Sequence, residues 1–391
     1  MTALKGVTVL EVADYVTGPY AAMLLADLGA DVIKIEKRPH GDPFRGFDPS
    51  LEGGYGSDFL ALNRNKKSVT LNLATEQGRD VFLKLAEGAG VIVENHRPGV
   101  MRKWGVDYDA VRARNPGIVY CSISGFGQDG PYSDLPGYDT LGVAMGGLLG
   151  LMTDMQNPDV PRMTFADHLT GIFACQAILA ALYARVATGA GQKVEASLLQ
   201  TVSSFVQSHA AQYFASGVVP REHKRANLAA AFVAGDGKPF VVHLSSPLKF
   251  WEGLTAAIGK PELREDPRFA TRESRVKNYR EFRATLQAVF ASAPRAVWIE
   301  RLRAHDVPVG PLYDIGEVFD DPQVRHLGMA VELQHPVMGP VRLSGSAIAL
   351  KGTPMQHVAA PPLLGEHTRS VLLTAGYSPN DISRLREANV I

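Results

Sequence analysis

Asp167 stands at the head of one of the longest apolar helical runs in the chain. The run opens Thr164-Phe165-Ala166-Asp167-His168-Leu169-Thr170-Gly171 and continues from Ile172 to Tyr183. A helix so apolar is expected to pack inside, which leaves its first turn at the edge of the interior. A carboxylate there is partly withdrawn from water and faces the positive end of the helix dipole. With a reference pKa of about 3.9 it is ionised at neutral pH, so it can attack an acyl carbon without a general base. The plainer reading is an N-cap, a position that Asp favours. Position alone favours the cap, and the rest of the chain reverses that. His168 adjoins Asp167 but points about 100° away around the helix, which suits a supporting role. Asp139, in Gly137-Tyr138-Asp139, either holds a turn or positions a substrate.

Cations gather at two other places. Lys37 and Arg38 follow the apolar run Val32–Glu36, and Arg97, Arg102 and Lys103 follow Val91-Ile92-Val93. Ligands of open α/β sheets bind outside the carboxyl ends of the strands, so both sets are expected to face one crevice suited to a ligand with several phosphates. The loop Ala13-Asp14-Tyr15-Val16-Thr17-Gly18-Pro19 has one glycine where a dinucleotide fold has three, which argues against NAD despite Glu36 in the place of a ribose-binding acid. Glycines at Gly125, Gly127, Gly130 and Gly137 read first as turns.

The elements that must hold these groups alternate in the first third of the chain. Val7–Val12, Val32–Glu36, Ser68–Leu73, Val91–Val93 and Ile118–Ile123 read as strands; Tyr20–Leu28, Glu76–Glu87 and Tyr108–Arg114 read as helices. This is the pattern of a doubly wound, Rossmann-like α/β lobe. A long helix is expected from Asp167 to Ala187 and a second over Leu198–Ser216. Amphipathic helices at Phe250–Ile258, Tyr279–Ala291 and Ala296–His305 mark a smaller α+β lobe. The expected division is 1–224 for the first part of the large lobe, 225–330 for the small lobe, and 331–391 for a return to the large one. Arg225, His243 and Lys249 are scattered acceptor-pocket candidates in the small lobe.

Length and composition agree with two lobes. The chain has 391 residues, 46% hydrophobic and 20% charged, with 40 Lys+Arg balancing 40 Asp+Glu. A zero net charge argues against nucleic acid as a partner. The two cysteines, Cys121 and Cys175, lie in apolar runs and read as free core thiols of a reducing compartment. No histidine or cysteine spacing suits a metal site. No run approaches the ~20 uninterrupted apolar residues of a membrane span, and after Met1-Thr2-Ala3-Leu4-Lys5-Gly6 the chain enters its first strand, so no signal peptide or transit segment is expected. A cytoplasmic protein without membrane partners is expected.

Taken in order, these segments resemble the class III CoA-transferases, the family that includes formyl-CoA and carnitine CoA-transferases and the α-methylacyl-CoA racemases. The resemblance rests on Gly18-Pro19, Leu28–Glu36, Asn63–Ser68, Val93–Gly99, Gly137-Tyr138-Asp139, Ala166-Asp167, Gly189–Gln192 and Pro362–Thr368, and it runs nearly end to end. It implies two interlocked ring-shaped chains as a homodimer, coenzyme A as co-substrate, no metal, and Asp167 as the nucleophile. By motif position it places CoA contacts near Tyr15, Val16, Lys37, Leu71, Asn95, His96 and Lys103. The resemblance also implies two departures. Formyl-CoA transferases carry glutamine where this chain has Val16, which argues against a formyl/oxalate pair. The racemases carry His-Asp where it has Tyr138-Asp139, and a tyrosine with a pKa of about 10 is a poor acid–base substitute for histidine.

The expected reaction is transfer of CoA from an acyl-CoA, with succinyl-CoA the expected donor, to a small carboxylic acid. It passes through a mixed anhydride and then a thioester at Asp167. A 2-methylacyl-CoA racemase or epimerase is the first alternative, and a non-catalytic CoA-binding protein the second.

Overall fold

A computed structural model of the chain describes residues 1–47, 55–219, 229–245 and 248–391. The chain forms two compact units: Met1–Ala210 with Gly328–Ile391, and Ala211–Leu327.

The first unit is built on six parallel strands: β1 (Thr8–Val12), β2 (Asp31–Glu36), β3 (Lys66–Thr70), β4 (Val91–Glu94), β5 (Val119–Ser124) and β6 (Lys193–Ser197). Their order is β3-β2-β1-β4-β5-β6, so the chain leaves β1 to one side and later returns to its other side at β4. Both faces are covered, which is why the strands are apolar on consecutive residues rather than alternate ones. Leu10, Ile33, Val69, Ile92 and Tyr120 face one core; Val9, Val32, Val91, Val93, Val119 and Cys121 face the other. The helix Thr17–Asp27 and the long helix Ala166–Thr188 pack on the second face through Ala21, Leu25, Ala174 and Ile178.

Several expected elements shift. The first helix starts at Thr17, not Tyr20, because Gly18 and Pro19 sit inside its first turn; proline is well tolerated there, its missing N–H being an orphan anyway. Lys193–Ser197 is the sixth strand of the sheet and runs directly into the next helix, which Ser197 caps. The single helix expected over Leu198–Ser216 is two, Leu198–Phe205 and Gln207–Ser216. The glycine-rich stretch holds two short helices, Asp139–Met145 and Leu148–Met152, which its glycines concealed.

The tail, Gly328–Ile391, contributes the antiparallel hairpin Ala330–His335 and Gly339–Ser344 and then runs along the β3 edge. His367 N–H donates to Ser68 O, Gly365 N–H to Ser68 Oγ, and Asn72 N–H to Val390 O. Glu366 and His367 are thus a structural clasp, Glu366 accepting from Leu363 N–H and His367 Nδ1 from Ser68 N–H. A second clasp joins Arg64 to Asp27 and to Ser344 O, with Ser346 Oγ also donating to Asp27.

The long helix is long and apolar enough, by length and composition alone, to cross a bilayer. It packs on the sheet instead, through one face. The expectation that it lies wholly inside is half right, since Tyr183 is 81% exposed and Val186 85%.

The second unit, Ala211–Leu327, has a three-stranded antiparallel sheet, Ala229–Val233, Pro239–His243 and Val309–Pro311. Three helices cover it, with Phe232, Phe240, Phe282, Phe290 and Trp298 interlocking in its core. His243 is exposed at the end of its strand and Lys249 is ion-paired to Asp306. Arg225 lies outside the described residues.

Candidate active site

Asp167 is the second residue of the long helix, whose N-cap is Phe165. The capping reading is therefore excluded: the cap residue lies two positions earlier and has no side-chain acceptor. Asp167 is half-buried. Its backbone N–H donates to Asp139 Oδ1 at 3.0 Å, and its Oδ1 accepts from the Thr17 hydroxyl at 2.6 Å. Asp139 begins its own short helix just beyond Tyr138, so it anchors the first turn of the long helix.

Glycine makes this meeting possible. A Cβ on Gly171 would lie 3.0 Å from Thr17 O and 3.0 Å from Tyr20 Cδ1, so the two helices cross in near contact one turn beyond Asp167. A Cβ on Gly142 would lie 2.9 Å from those of Ala166 and Leu198, which brings the Asp139 helix equally close.

Burial is the main cause holding the Asp167 carboxyl above the usual aspartate range; the Thr17 hydroxyl opposes it, Asp139 adds to it, and His168 opposes it weakly. Among the described residues no lysine or arginine pairs with Asp167. His168 lies beside it but is turned away, with Nδ1 on Thr164 Oγ1 and O at 2.9 Å and the ring edge-on to Tyr20.

The loop that follows β1 supplies the other wall. Tyr15 adopts φ 65°, a left-handed conformation costly for a bulky side chain, and its N–H is held by Asp42 Oδ1 at 3.2 Å. Its ring lies edge-on to Phe44 and is 45% exposed, and Tyr138 is 64% exposed. Both tyrosines bear on the same place, since Tyr138 adds to the burial that raises the Tyr15 phenol.

Asn95, directly after β4, reaches across the gap where strand order reverses. Its Oδ1 accepts from Asp14 N–H at 3.0 Å and its Nδ2 donates to Asp14 O at 2.7 Å. Its amide braces the β1 loop. His96 sits against Trp104, and burial, then Lys34, pull its pKa down to about 4, so its ring is neutral at pH 7. Asp14 is pushed up to about 6 by burial, with Lys34 opposing.

Val16 and Leu71 are buried, Val16 against Phe44, Phe59 and Leu62, so neither offers more than backbone or an apolar wall. Lys37, Arg38, Arg97, Arg102 and Lys103 are exposed. Their two strands flank β1, which separates the sets by about 10 Å across the sheet. Arg102 bonds Asp107 at 3.0 Å, and Arg38 NH1 donates to Ile391 O at 2.6 Å beside a cavity of about 290 Å³ lined by Thr70, Leu364 and Arg386.

Behind this loop lies a buried ionic cluster that composition did not announce. Lys34 Nζ meets Glu11 Oε1 at 2.8 Å and Asp42 Oδ2 at 2.9 Å; Lys66 Nζ meets Glu11 Oε2 at 2.8 Å. Arg45 grips Glu36 through both carboxylate oxygens at 2.7 Å. Four of these residues, Glu11, Lys34, Glu36 and Lys66, sit on strands where inward-facing charges interrupt an apolar pattern; that interruption was the available signal. Thr17, the other contact that sequence reading missed, left no signal beyond its place in the loop.

Residues 4–368 match the profile of CoA-transferase family III. A mouse succinyl-CoA:glutarate CoA-transferase is 34% identical, over 95% of this chain and 86% of that protein. A formyl-CoA:oxalate CoA-transferase of Streptomyces avermitilis is also 34% identical, over 100% of this chain and 99% of its own. The crystal structure of a CAIB/BAIF family protein from Brucella suis superposes with a TM-score of 0.87 at 33% identity, covering 96% of this chain and 99% of that one.

Proposed function

The chain belongs to CoA-transferase family III, and from that premise we propose that Asp167 is the group through which CoA changes hands. The enzyme transfers CoA between an acyl-CoA and a carboxylate. The observation that carries the proposal is a half-buried carboxylate at a helix start, held by one hydroxyl and unpaired with any cation among the described residues. A carboxylate so held keeps its lone pairs for an acyl carbon. Burial weakens its solvation and so sharpens it as a nucleophile.

In the proposed reaction Asp167 attacks the donor thioester and expels CoA thiolate, forming a mixed anhydride. The thiolate attacks the aspartyl carbon, the donor acid leaves, and an aspartyl-CoA thioester remains. The acceptor carboxylate repeats these steps in reverse. One thioester replaces another, so the driving force is small and the hazard is hydrolysis, which the partial burial of Asp167 limits. The exposed cations Lys37, Arg97 and Lys103 suit the phosphates of CoA, with Tyr15, His96 and the Asn95-braced loop between them.

Succinyl-CoA is the proposed donor and a small dicarboxylate such as glutarate the acceptor, supported by the succinyl-CoA:glutarate relatives and by Val16, whose side chain is buried against Phe44, Phe59 and Leu62 and carries no polar group. A homodimer is proposed as well. The long helix leaves Ile172, Phe173, Tyr183 and Val186 exposed on a continuous apolar element, the kind of surface a partner copy covers. Two buried free thiols suit a reducing, cytoplasmic setting.

The test is to incubate the enzyme with succinyl-CoA and hydroxylamine and map the modified peptide. Conversion of Asp167 to its hydroxamate with loss of activity is expected. Full activity with an unmodified Asp167 sinks the proposal, and a panel of acids against succinyl-CoA settles the acceptor.

A further inference from the structure

We propose that Thr17 is a catalytic residue: its hydroxyl holds the charge that forms on Asp167 Oδ1 whenever the aspartyl carbon is attacked, and it reserves Oδ2 for exchange. The inference rests on Asp167 being the nucleophile.

The geometry distinguishes the two carboxylate oxygens. Oδ1 accepts from Thr17 Oγ1 at 2.6 Å, a short charge-assisted bond. Oδ2 accepts none among the described residues. The donor is fixed: Thr17 is 6% exposed at the first position of its helix, and β-branching restricts its rotamers. The acceptor is fixed too. Asp139 holds the Asp167 N–H, and the near contact at Gly171 sets the spacing of the two helices. An oxyanion donor must be in place before the charge develops, and this one is.

The chemistry then assigns each oxygen a fate. Oδ2, the free oxygen, attacks the thioester carbonyl carbon; the C–S bond breaks and CoA leaves as thiolate, so the anhydride is bridged through Oδ2. The thiolate attacks Cγ, and the C=O electron pair moves onto Oδ1, where the Thr17 O–H already points. Collapse restores the C=O, breaks Cγ–Oδ2, and sends Oδ2 away in the donor acid. The acceptor carboxylate next attacks Cγ of the aspartyl thioester, charging Oδ1 again, and CoA thiolate departs. That thiolate attacks the acceptor's acyl carbon, and the Cγ–O bond survives as the C–O bond to the acceptor acyl group breaks. Asp167 is restored as carboxylate, with one oxygen taken from the acceptor. Thr17 keeps its proton throughout, and no other reagent is needed.

A pinned Oδ1 therefore stays in the protein while the other position turns over. The experiment uses the full-length enzyme with succinyl-CoA and glutarate labelled with oxygen-18 in both carboxylates. The glutaryl-CoA formed is followed in the same sample, and the Asp167 peptide is weighed after roughly ten turnovers. The wild type is expected to carry one heavy oxygen at Asp167, and Thr17→Ser the same. Thr17→Val, isosteric but without the hydroxyl, is expected to carry two, and to lose about a hundredfold in kcat with a smaller change in KM. Equal labelling of wild type and Thr17→Val, or two heavy oxygens in the wild type within the first few turnovers, overturns the assignment whether or not the variant folds well. Glutaryl-CoA formed with no heavy oxygen at Asp167 is a different failure: it removes Asp167 as the nucleophile.

Discussion

Glu36 and Asp167 belong to the same unit and are both withdrawn from water, yet their surroundings differ in kind. Glu36 has Arg45 on both oxygens, the Ser68 hydroxyl at 2.5 Å and Lys34 nearby, and these overcome burial and hold it below the usual glutamate range. Asp167 has one hydroxyl, and burial prevails. The first carboxylate spends all its lone pairs on structure. The second is restrained enough to be aimed but not enough to be neutralised. Between these two, it is the lack of a cation partner rather than burial that sets the proposed nucleophile apart.

Breaking each side of the contrast should break a different property. Asp167→Ala is expected to lower the transfer rate by roughly 10⁴-fold or more while leaving the thermal midpoint almost unmoved; retained turnover would refute the assignment. Lys34→Met should do the reverse. It leaves Asp42 Oδ2 in the interior without its cation and Glu11 with Lys66 alone, and urea unfolding should show a loss of about 3–5 kcal/mol. A Lys34→Met protein of wild-type stability would mean that the cluster is not what holds the β1 loop.

Glu94 sharpens the comparison from a third position. It is 4% exposed, forms no ion pair among the described residues, and is pushed up to about 7 by burial, with Ser122, the His96 N–H and Lys193 opposing. Its folded pKa lies above its unfolded value, so the native state holds the proton between pH 4.5 and 7. The stability this contributes is complete below pH 4.5 and is lost as pH rises through 7, about 3 kcal/mol in all. Glu94→Gln should flatten that decline. Denaturant titrations of both proteins at pH 5 and pH 8 decide it, and parallel losses would exclude Glu94 as the source.

The smallest effect is expected from Thr17 on the pH profile. Thr17 holds the Asp167 pKa down against burial, so Thr17→Val should move the acid limb of kcat/KM upward. An acid limb that stays in place would mean the hydroxyl does not touch the ionised form.

Much of this was legible in the chain. Consecutive apolar residues bounded by glycine marked β1, β2, β4 and β5, and the run after Asp167 marked the long helix within a residue or two of its ends. The cations after β2 and β4 were legible as pairs at strand ends. The helices over Asp139–Met145 and Leu148–Met152 were not, because their glycines read as turns; one of them, Gly142, permits close packing on the long helix. Lys193–Ser197 hid as a strand because its Lys-Val-Glu-Ala-Ser alternation has too few apolar residues to stand out.

By itself, the amino-acid sequence determined the parallel α/β unit, the family, and the carboxylate worth testing, because periodicity and motif order are local and survive without coordinates. Only the tertiary structure decided what surrounds that carboxylate. The Thr17 hydroxyl lies 150 residues from Asp167 in the chain, and the Asp139 carboxyl lies 28 residues away. Both reach it because helices cross at glycine contacts. Which lone pairs are taken and which are free depends on such crossings, and no spacing along the chain encodes them.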